Sequence, residues 1–192
     1  GPFLPSEVQA CNHVIMKSRQ FPRIDPADIA DWFAGRLPTD WFTGEAGVTV
    51  DREEITIIGA LPADGDDETP ARATGRAARF RDDTRSERIR IAEEAQHKFG
   101  RTVSWGVDVG DPAAPERILF THIAVPVMTR LRQPERRVLD TLVDAGVARS
   151  RADALAWSVR LVGENTEEWL AKLRAAMEQV DDVRAQGPDP KN

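Results

Sequence analysis

The octapeptide TVSWGVDV, residues 102–109, alternates apolar and polar positions without interruption. Because successive side chains of a β-strand point to opposite faces of a sheet, this pattern predicts a strand with one buried face. The next apolar segment, residues 117–125, is apolar on both faces, which is typical of a central strand. We therefore expect these two strands to pair with each other.

A hairpin and a short helix are predicted upstream. Two runs rich in β-branched residues, 48–50 and 55–61, have the polar residues Asp51, Arg52 and Glu53 between them, and this arrangement is typical of an antiparallel hairpin. Farther upstream, Asp25 followed by Pro26 has the form of a helix start. Apolar residues then recur at helical spacing until Gly35, so we expect a short helix that ends there.

A longer helix is predicted between the hairpin and the strand at 102–109. Thr84 and Glu87 have the spacing of a capping box, and apolar residues follow at helical spacing for about four turns. Residues 71–81 are expected to extend this helix upstream. The acidic segment 64–70 has little to bury and predicts a flexible loop. Together, these elements predict a small α+β domain with antiparallel strands over residues 25–125.

The amino-acid composition limits the classes of protein to which the chain can belong. With 41% hydrophobic and 30% charged residues, the chain has enough apolar surface to form a core, so disorder is not its default state. No window is apolar enough to span a membrane and no leader precedes the first helix, so we expect a cytoplasmic protein without membrane contact. Gly1-Pro2 has the form of an expression-tag remnant. We expect residues 1–24 and 187–192 to be terminal tails.

Residues that commonly carry catalysis or bind metals are few and scattered. Cys11 is the one cysteine, so no disulfide can form within the chain. His13, His97 and His122 lack the spacing of metal ligands. No phosphate-binding loop, nucleophile elbow or paired-carboxylate motif is present. We therefore expect no catalytic residue, no metal and no cofactor, and we predict that the protein is not an enzyme.

The pattern changes in kind after Pro126. A short strand is predicted at 127–131, followed by a helix that Gly146 ends. Ser150 then has the position of an N-cap, with Asp153 three residues later as in a capping box. The apolar stripes are Val138, Leu139, Leu142 and Val143 in the first helix, and Ala154, Leu155, Ser158, Val159 and Val162 in the second.

This segment is basic although the whole chain is acidic. Residues 128–151 contain six arginines and three acidic residues, a net charge of +3 in a chain of net charge −6. DNA phosphates respond to the local field rather than to the total charge, so a basic patch on an acidic protein is compatible with DNA binding.

The run Ser150-Arg151-Ala152-Asp153-Ala154, preceded by residues 139–146, resembles the second helix of the ribbon-helix-helix family of small bacterial antitoxins and repressors. The resemblance implies an intertwined homodimer in which one strand from each chain forms a ribbon that enters the major groove of double-stranded DNA. A last helix, which Thr166-Glu167-Glu168 opens, is expected to be a core helix or to flank the dimer.

The resemblance assigns a role to individual residues. Met128, Arg130 and Arg132 would face the base edges, where arginine suits bidentate contact with guanine. The first turn of the second helix would bind a phosphate. The implied phosphate contacts are Arg136, Arg149, Ser150 and Arg151, and the implied dimer core is Leu131, Val138, Leu139, Leu142, Leu155 and Val159.

Three alternatives stay open at this stage. The strand at 127–131 could simply complete the preceding sheet, with the arginines solvated. The module could serve only to dimerise in a protein-interaction or assembly factor, and the last helix, which carries Trp169 and Leu173, would then bind a protein partner. The basic segment 76–101 could bind RNA, although such a mixed run is usually the solvated face of a helix.

We predict a homodimeric, sequence-specific DNA-binding protein of the bacterial transcription-regulator type. Its fold class is α+β. Residues 126–186 form the dimerisation and DNA-binding module with one extra helix, and the domain at 25–125 has no assigned role.

Overall fold

A mixed four-stranded sheet covered by three helices forms the N-terminal part of the protein. The structure is a computed structural model that describes residues 24–65 and 68–187. The chain divides into two compact units between Pro126 and Val127. The described elements are α1 (Pro26–Arg36), β1 (Gly47–Val50), β2 (Glu54–Ala60), α2 (Pro70–Asp83), α3 (Arg85–Phe99), β3 (Thr102–Val109), β4 (Glu116–Leu119), α4 (Gln133–Asp144) and α5 (Arg151–Gln186).

The strand order in the sheet follows the chain, β1-β2-β3-β4. The hairpin prediction is confirmed, because β1 and β2 pair antiparallel, as do β3 and β4. The prediction of antiparallel strands throughout is wrong for the central pair, since β2 and β3 run parallel. Strands β2 and β3 are parallel because α2 and α3 form a crossover connection between them, which returns the chain to the end of the sheet where β2 begins.

The strand predicted at 102–109 is confirmed as β3, and it lies inside the sheet with Val103, Trp105 and Val107 buried. The central strand predicted at 117–125 is wrong. Strand β4 ends at Leu119 and occupies the edge of the sheet. Ile118 and Phe120 pack against the core, whereas Leu119 is 39% exposed, so only one face of this segment is covered.

The core of this unit lies between the sheet and the helices. Ile29 and Phe33 of α1 are fully buried, which confirms the short helix predicted there. They pack with residues from β2, α3 and β3, and aromatic rings contact one another edge to face within this cluster. A smaller cluster next to it joins α2 to β3, and its buried members are Leu61, Ala73, Ala77, Val107 and Val109.

The single long helix predicted from residue 71 onward is instead two helices that meet at Thr84. The capping box predicted there is absent, because the Thr84 side chain caps no backbone N–H of α3. Its hydroxyl donates to the Phe80 carbonyl at 2.6 Å and accepts from Arg88 Nε at 3.0 Å. Thr84 therefore fastens the junction of α2 and α3 rather than the start of α3.

The C-terminal unit is a helix pair with a small core of its own. Leu139 of α4, Ala148 of the turn and Ala154 of α5 are its buried residues. The two last helices that the sequence predicts form one element, α5, whose backbone leaves helical geometry at Thr166 (φ −130°, ψ 17°). The break that the sequence predicts between the two helices is therefore a kink at Thr166 within one helix.

The predicted tails and the loop after β2 fall partly on residues that the structure does not describe. Residues 1–23, 66–67 and 188–192 lie outside the described ranges. This applies to Gly1-Pro2, Cys11 and His13. Among the described helices, none is both long and apolar enough to cross a membrane.

Replacing Gly59 with alanine is expected to destabilise the N-terminal unit. Gly59 is buried in β2, and a Cβ at this position would overlap the ring of Phe42. Because overpacking forces a shift of the ring, we expect the free energy of unfolding to fall by about 1–3 kcal/mol. Urea denaturation followed by circular dichroism measures this loss.

Gly47→Ala provides the matched control, because a Cβ there would lie 3.6 Å from the Ile58 carbonyl oxygen, an ordinary contact. Equal losses in the two variants would contradict a packing role for Gly59.

Candidate nucleic-acid interface

The segment that was predicted to form the reading strand, residues 127–131, forms neither helix nor strand. Val127 is 87% exposed and Met128 is 97% exposed. A strand needs a hydrogen-bonded neighbour, and none of the described strands pairs with this segment. One contact anchors its end, because Arg136 Nη1 donates to the Leu131 carbonyl at 2.7 Å. The strand predicted at 127–131 is therefore not formed in the single chain.

The N-terminus of α5 is capped as the sequence predicts. Ser150 Oγ accepts from the Asp153 backbone N–H at 3.1 Å, and Asp153 Oδ2 accepts from the Arg149 N–H at 3.0 Å. The first bond is the ordinary N-cap bond, and the second reaches the residue before the N-cap, so the pair is a capping-box variant shifted by one residue. The bond from the Arg149 backbone N–H is the main reason that the pKa of Asp153 lies below its ordinary value. The start of α5 is consequently fixed in place, with the Arg149 side chain 92% exposed beside it.

Arg151 joins the two helices of the C-terminal unit. Its Nε lies 2.7 Å from Asp140 Oδ1, and its Nη2 lies 2.9 Å from Oδ2, a bidentate pair between α5 and α4. Hydrogen bonding to Arg151 holds the pKa of Asp140 below its ordinary value, and the same bond raises the pKa of Arg151. Arg151 therefore already has a carboxylate partner, although its side chain is 60% exposed.

Three other arginines near the start of the unit have no such partner. Arg130, Arg132 and Arg137 are exposed, and within residues 24–65 and 68–187 none of them forms an ion pair or donates a side-chain hydrogen bond. Elsewhere, some arginines are paired, as Arg36 is with Glu94 and Arg117 with Asp108. Others, such as Arg52 and Arg79, form no ion pair within the described residues. The unused donors of Arg130, Arg132 and Arg137 lie close together in the sequence, in and beside the segment 127–131 and in the first turns of α4.

The residues assigned to the dimer core do not all come together. Leu139 is buried in the core of the C-terminal unit itself, and Leu131, Leu142 and Leu155 pack against that core. Val138 is 56% exposed and Val159 is 65% exposed. Most of the apolar residues that were predicted to form the dimer core therefore pack within a single chain.

Helix α5 leaves a large apolar surface exposed that was not predicted from the sequence. Its large apolar residues with at least 42% exposure are Val159, Leu161, Val162, Trp169, Leu173, Met177, Val180 and Val183. We call seven of these, without Leu161, the α5 stripe, because they recur every three or four residues except across the kink. The helical spacing of Trp169, Leu173, Met177 and Val180 was the signal in the sequence, but their exposure could not be predicted from it.

The basic segment 76–101 does not present a continuous row of free arginines. Arg76 forms a bidentate pair with Glu68, and both side chains are less than 10% exposed. This bond lowers the pKa of Glu68. Arg90 pairs with Glu87. Arg88 and Arg101 are buried. Only some of the arginines in the segment 76–101 are therefore available to bind RNA.

A cleft of about 530 Å³ lies in the N-terminal unit. Its walls include Trp41 and Phe80, with Arg79 and three aspartates, and its lining contains no histidine, cysteine or serine. Among the described residues, no group of histidine, cysteine or acidic side chains has an arrangement that could hold a metal ion. His122 is exposed and is not among the residues that line this cleft.

Comparison with known proteins assigns the chain to a family. The model of the Rv1265-like protein N-terminal domain matches residues 27–115, and the model of the Mb1296 C-terminal domain matches residues 132–184. Protein Rv1265 of Mycobacterium tuberculosis strain H37Rv is 63% identical over 95% of this chain and 86% of its own length. The chain belongs to this Rv1265/Mb1296 family. Protein Mb1296 of Mycobacterium bovis has the same identity and coverage.

Membership of the Rv1265/Mb1296 family corrects the assignment made from the sequence. The resemblance to ribbon-helix-helix proteins is wrong, because the segment in question matches the Mb1296 C-terminal domain instead. The capped second helix that carried the resemblance is real, but a short capped helix occurs in many folds. No solved structure matches the chain.

Removing the cap of α5 is expected to destabilise the C-terminal unit. In Ser150→Ala the Asp153 N–H loses its acceptor, and such a loss costs about 1 kcal/mol of the free energy of unfolding. Urea denaturation followed by helical circular dichroism measures the change.

The control for this measurement is Ser158→Ala. Ser158 Oγ donates to the Ala154 carbonyl in the middle of the helix, a bond that adds little to helix stability. If Ser158→Ala costs as much as Ser150→Ala, the capping role is wrong.

Proposed function

We propose that the protein is a homodimeric, sequence-specific DNA-binding protein, a transcriptional regulator whose C-terminal unit contacts double-stranded DNA. The observation that supports this proposal is the set of exposed arginines without partners: Arg130, Arg132 and Arg137. A guanidinium group donates up to five hydrogen bonds in a planar fork that matches phosphates and guanine edges. Exposed arginines that the protein leaves unpaired keep all of these donors available for DNA.

The segment before α4 carries two of these arginines, Arg130 and Arg132, two residues apart. Residues 127–132 form no secondary structure and are mostly exposed. An exposed segment of this kind can enter a groove with few contacts within the protein to break. We assign Arg130, Arg132 and the neighbouring Met128 to the base edges.

Phosphate contacts are assigned to the start of the helices. The N-terminus of α5 is a site of positive potential because its first backbone N–H groups have no partners within the helix. Arg149 remains 92% exposed there. Arg136, Ser150 and Arg151 are also assigned to phosphates, and Arg137 joins them because its donors are unused. Asp153 lowers the potential at this helix end, so the arginines carry most of the attraction.

A second copy of the chain is proposed to cover the α5 stripe. The stripe extends from Val159 to Val183, along a side of α5 that α4, the other helix of its unit, leaves exposed. If each of its seven side chains loses on the order of 100 Å² to the partner, each chain buries about 700 Å², close to what a specific interface requires. Lys172 flanks the stripe and is already paired with Glu168, so pairing of two copies creates no forced repulsion there.

The DNA assignment is tested with a pool of duplexes at several salt concentrations. We expect wild-type affinity to fall steeply with salt, because bound arginines release counterions from the phosphates. Arg130→Ala/Arg132→Ala is expected to lose the sequence preference and about tenfold or more in affinity for the preferred duplex, since each bidentate base contact contributes about 1–3 kcal/mol of discrimination. Fluorescence anisotropy measures both effects.

Arg52→Ala/Arg79→Ala removes the same charge from exposed positions of the N-terminal unit and should leave both properties unchanged. Failure of the wild-type protein to bind any duplex at low salt would refute the DNA-binding proposal.

The dimer is tested by sedimentation of the full chain. Leu173→Glu/Val180→Glu places two charges in the α5 stripe and is expected to shift the protein from dimer to monomer, because a buried unpaired carboxylate is unfavourable. Ala171→Glu/Ala175→Glu adds the same charge at exposed positions on the other side of the helix and should leave a dimer. A monomeric wild-type protein at micromolar concentration would show that a second copy does not cover the stripe.

A protein-interaction or assembly factor is the second candidate, and the α5 stripe favours it independently of the arginines. In that case the stripe would bind a different protein. A wild-type chain that is monomeric and binds no duplex, and that purifies with a stoichiometric second protein through the same stripe residues, would support this candidate over the first.

A further inference from the structure

Three arginines lie together at the junction of α2 and α3, in the N-terminal unit. Arg88 is buried, with 8% of its surface exposed, whereas Arg81 and Arg85 are exposed. The guanidinium carbons of Arg88 and Arg81 lie 5.0 Å and 5.8 Å from the ring centre of Phe120. We call Arg81, Arg85 and Arg88 the arginine cluster.

Part of the arrangement has a structural explanation. Arg88 Nε donates to Thr84 Oγ1 at 3.0 Å, and Arg88 Nη2 donates to the Arg81 carbonyl at 2.6 Å, near the C-terminus of α2. These bonds satisfy a carbonyl that the helix leaves free, and the negative end of the helix attracts the guanidinium charge. They account for two of the donor atoms of Arg88. Its Nη1 forms no hydrogen bond with any residue in the described ranges.

The charge of the cluster is not neutralised by carboxylates. None of its three arginines forms an ion pair within residues 24–65 and 68–187, whereas Arg76 of α2 pairs with Glu68 and Arg90 of α3 with Glu87. Burial lowers the pKa of Arg88, and the charges of Arg81 and Arg85 lower it further. Asp82 has the opposite but smaller effect. A buried charge among like charges is unfavourable unless an anion compensates it.

We propose that the arginine cluster is a binding site for a phosphate-type oxyanion. A phosphate group offers several acceptor oxygens and carries one negative charge as a diester or up to two as the free anion near neutral pH, and its oxygens suit adjacent guanidinium groups better than a single carboxylate does. Arg88 Nη1 supplies a donor that is fixed in place, and the side chains of Arg81 and Arg85 close on the anion from the solvent. The phosphate is either free in solution or part of the backbone of a nucleic acid.

The test titrates the full-length protein with inorganic phosphate while sodium chloride keeps the ionic strength constant. Calorimetry is expected to show saturable binding, and the midpoint of thermal unfolding should rise with phosphate because the ligand binds only the folded state. Arg81→Gln/Arg85→Gln is expected to weaken phosphate binding at least tenfold. This variant changes exposed residues and leaves the structural bonds of Arg88 in place.

The matched control is Arg52→Gln/Arg79→Gln, which removes the same charge from exposed positions outside the cluster and should bind phosphate as the wild type does. The proposal is overturned if phosphate acts no differently from chloride, or if the two double variants lose affinity equally, since either result means nonspecific screening.

A further measurement distinguishes the two sources of phosphate. If the site takes a nucleic-acid phosphate, Arg81→Gln/Arg85→Gln also weakens binding of a duplex. If the ligand is a free anion, duplex affinity is unchanged in that variant. The Arg130→Ala/Arg132→Ala variant should retain phosphate binding in both cases, so failure of the DNA-binding proposal would not be confused with failure of this site.

Discussion

The parallel pairing of β2 with β3 is the constraint on which the N-terminal unit depends. Ile55 lies beside Val103 and Ile57 beside Trp105, so the most buried residues of both strands share one face. Parallel neighbours require a crossover, and α2 and α3 provide it over that face. The break between these helices brings the arginine cluster to the end of the sheet near Phe120. The pairing of β2 with β3 thus determines the position of the core and also the position of the helix junction that carries the arginine cluster.

Local patterns in the sequence predicted local structure well. The alternation in residues 102–109, the proline after Asp25 and the serine at 150 each report on neighbours a few residues away, and each predicted element is present. The direction of β3 relative to β2 depends on a connection of about forty residues, and no local pattern contains it. Similarly, the two-sided apolar character of residues 117–125 did not reveal that β4 is an edge strand, because the pattern records side chains and not neighbours.

The candidate site shows the same limit in electrostatic terms. The sequence identified the basic residues near the C-terminal helices, but it could not show which of them are already paired. Arg151 and Arg130 look equivalent in the sequence, yet Arg151 is held by Asp140 while Arg130 has no partner among the described residues. Arginines with and without partners differ in what they can offer to a ligand. Only the fold separates the two groups.

The kink at Thr166 divides α5 into two parts with different dependencies. The first part packs against α4, whereas the second, about twenty residues long, has apolar side chains that nothing in its own unit covers. A helix of this length is only marginally stable alone in water. If the proposed dimer forms through this part of α5, its helical order is coupled to association, and the part after Thr166 should gain structure as concentration rises while the part before Thr166 stays folded.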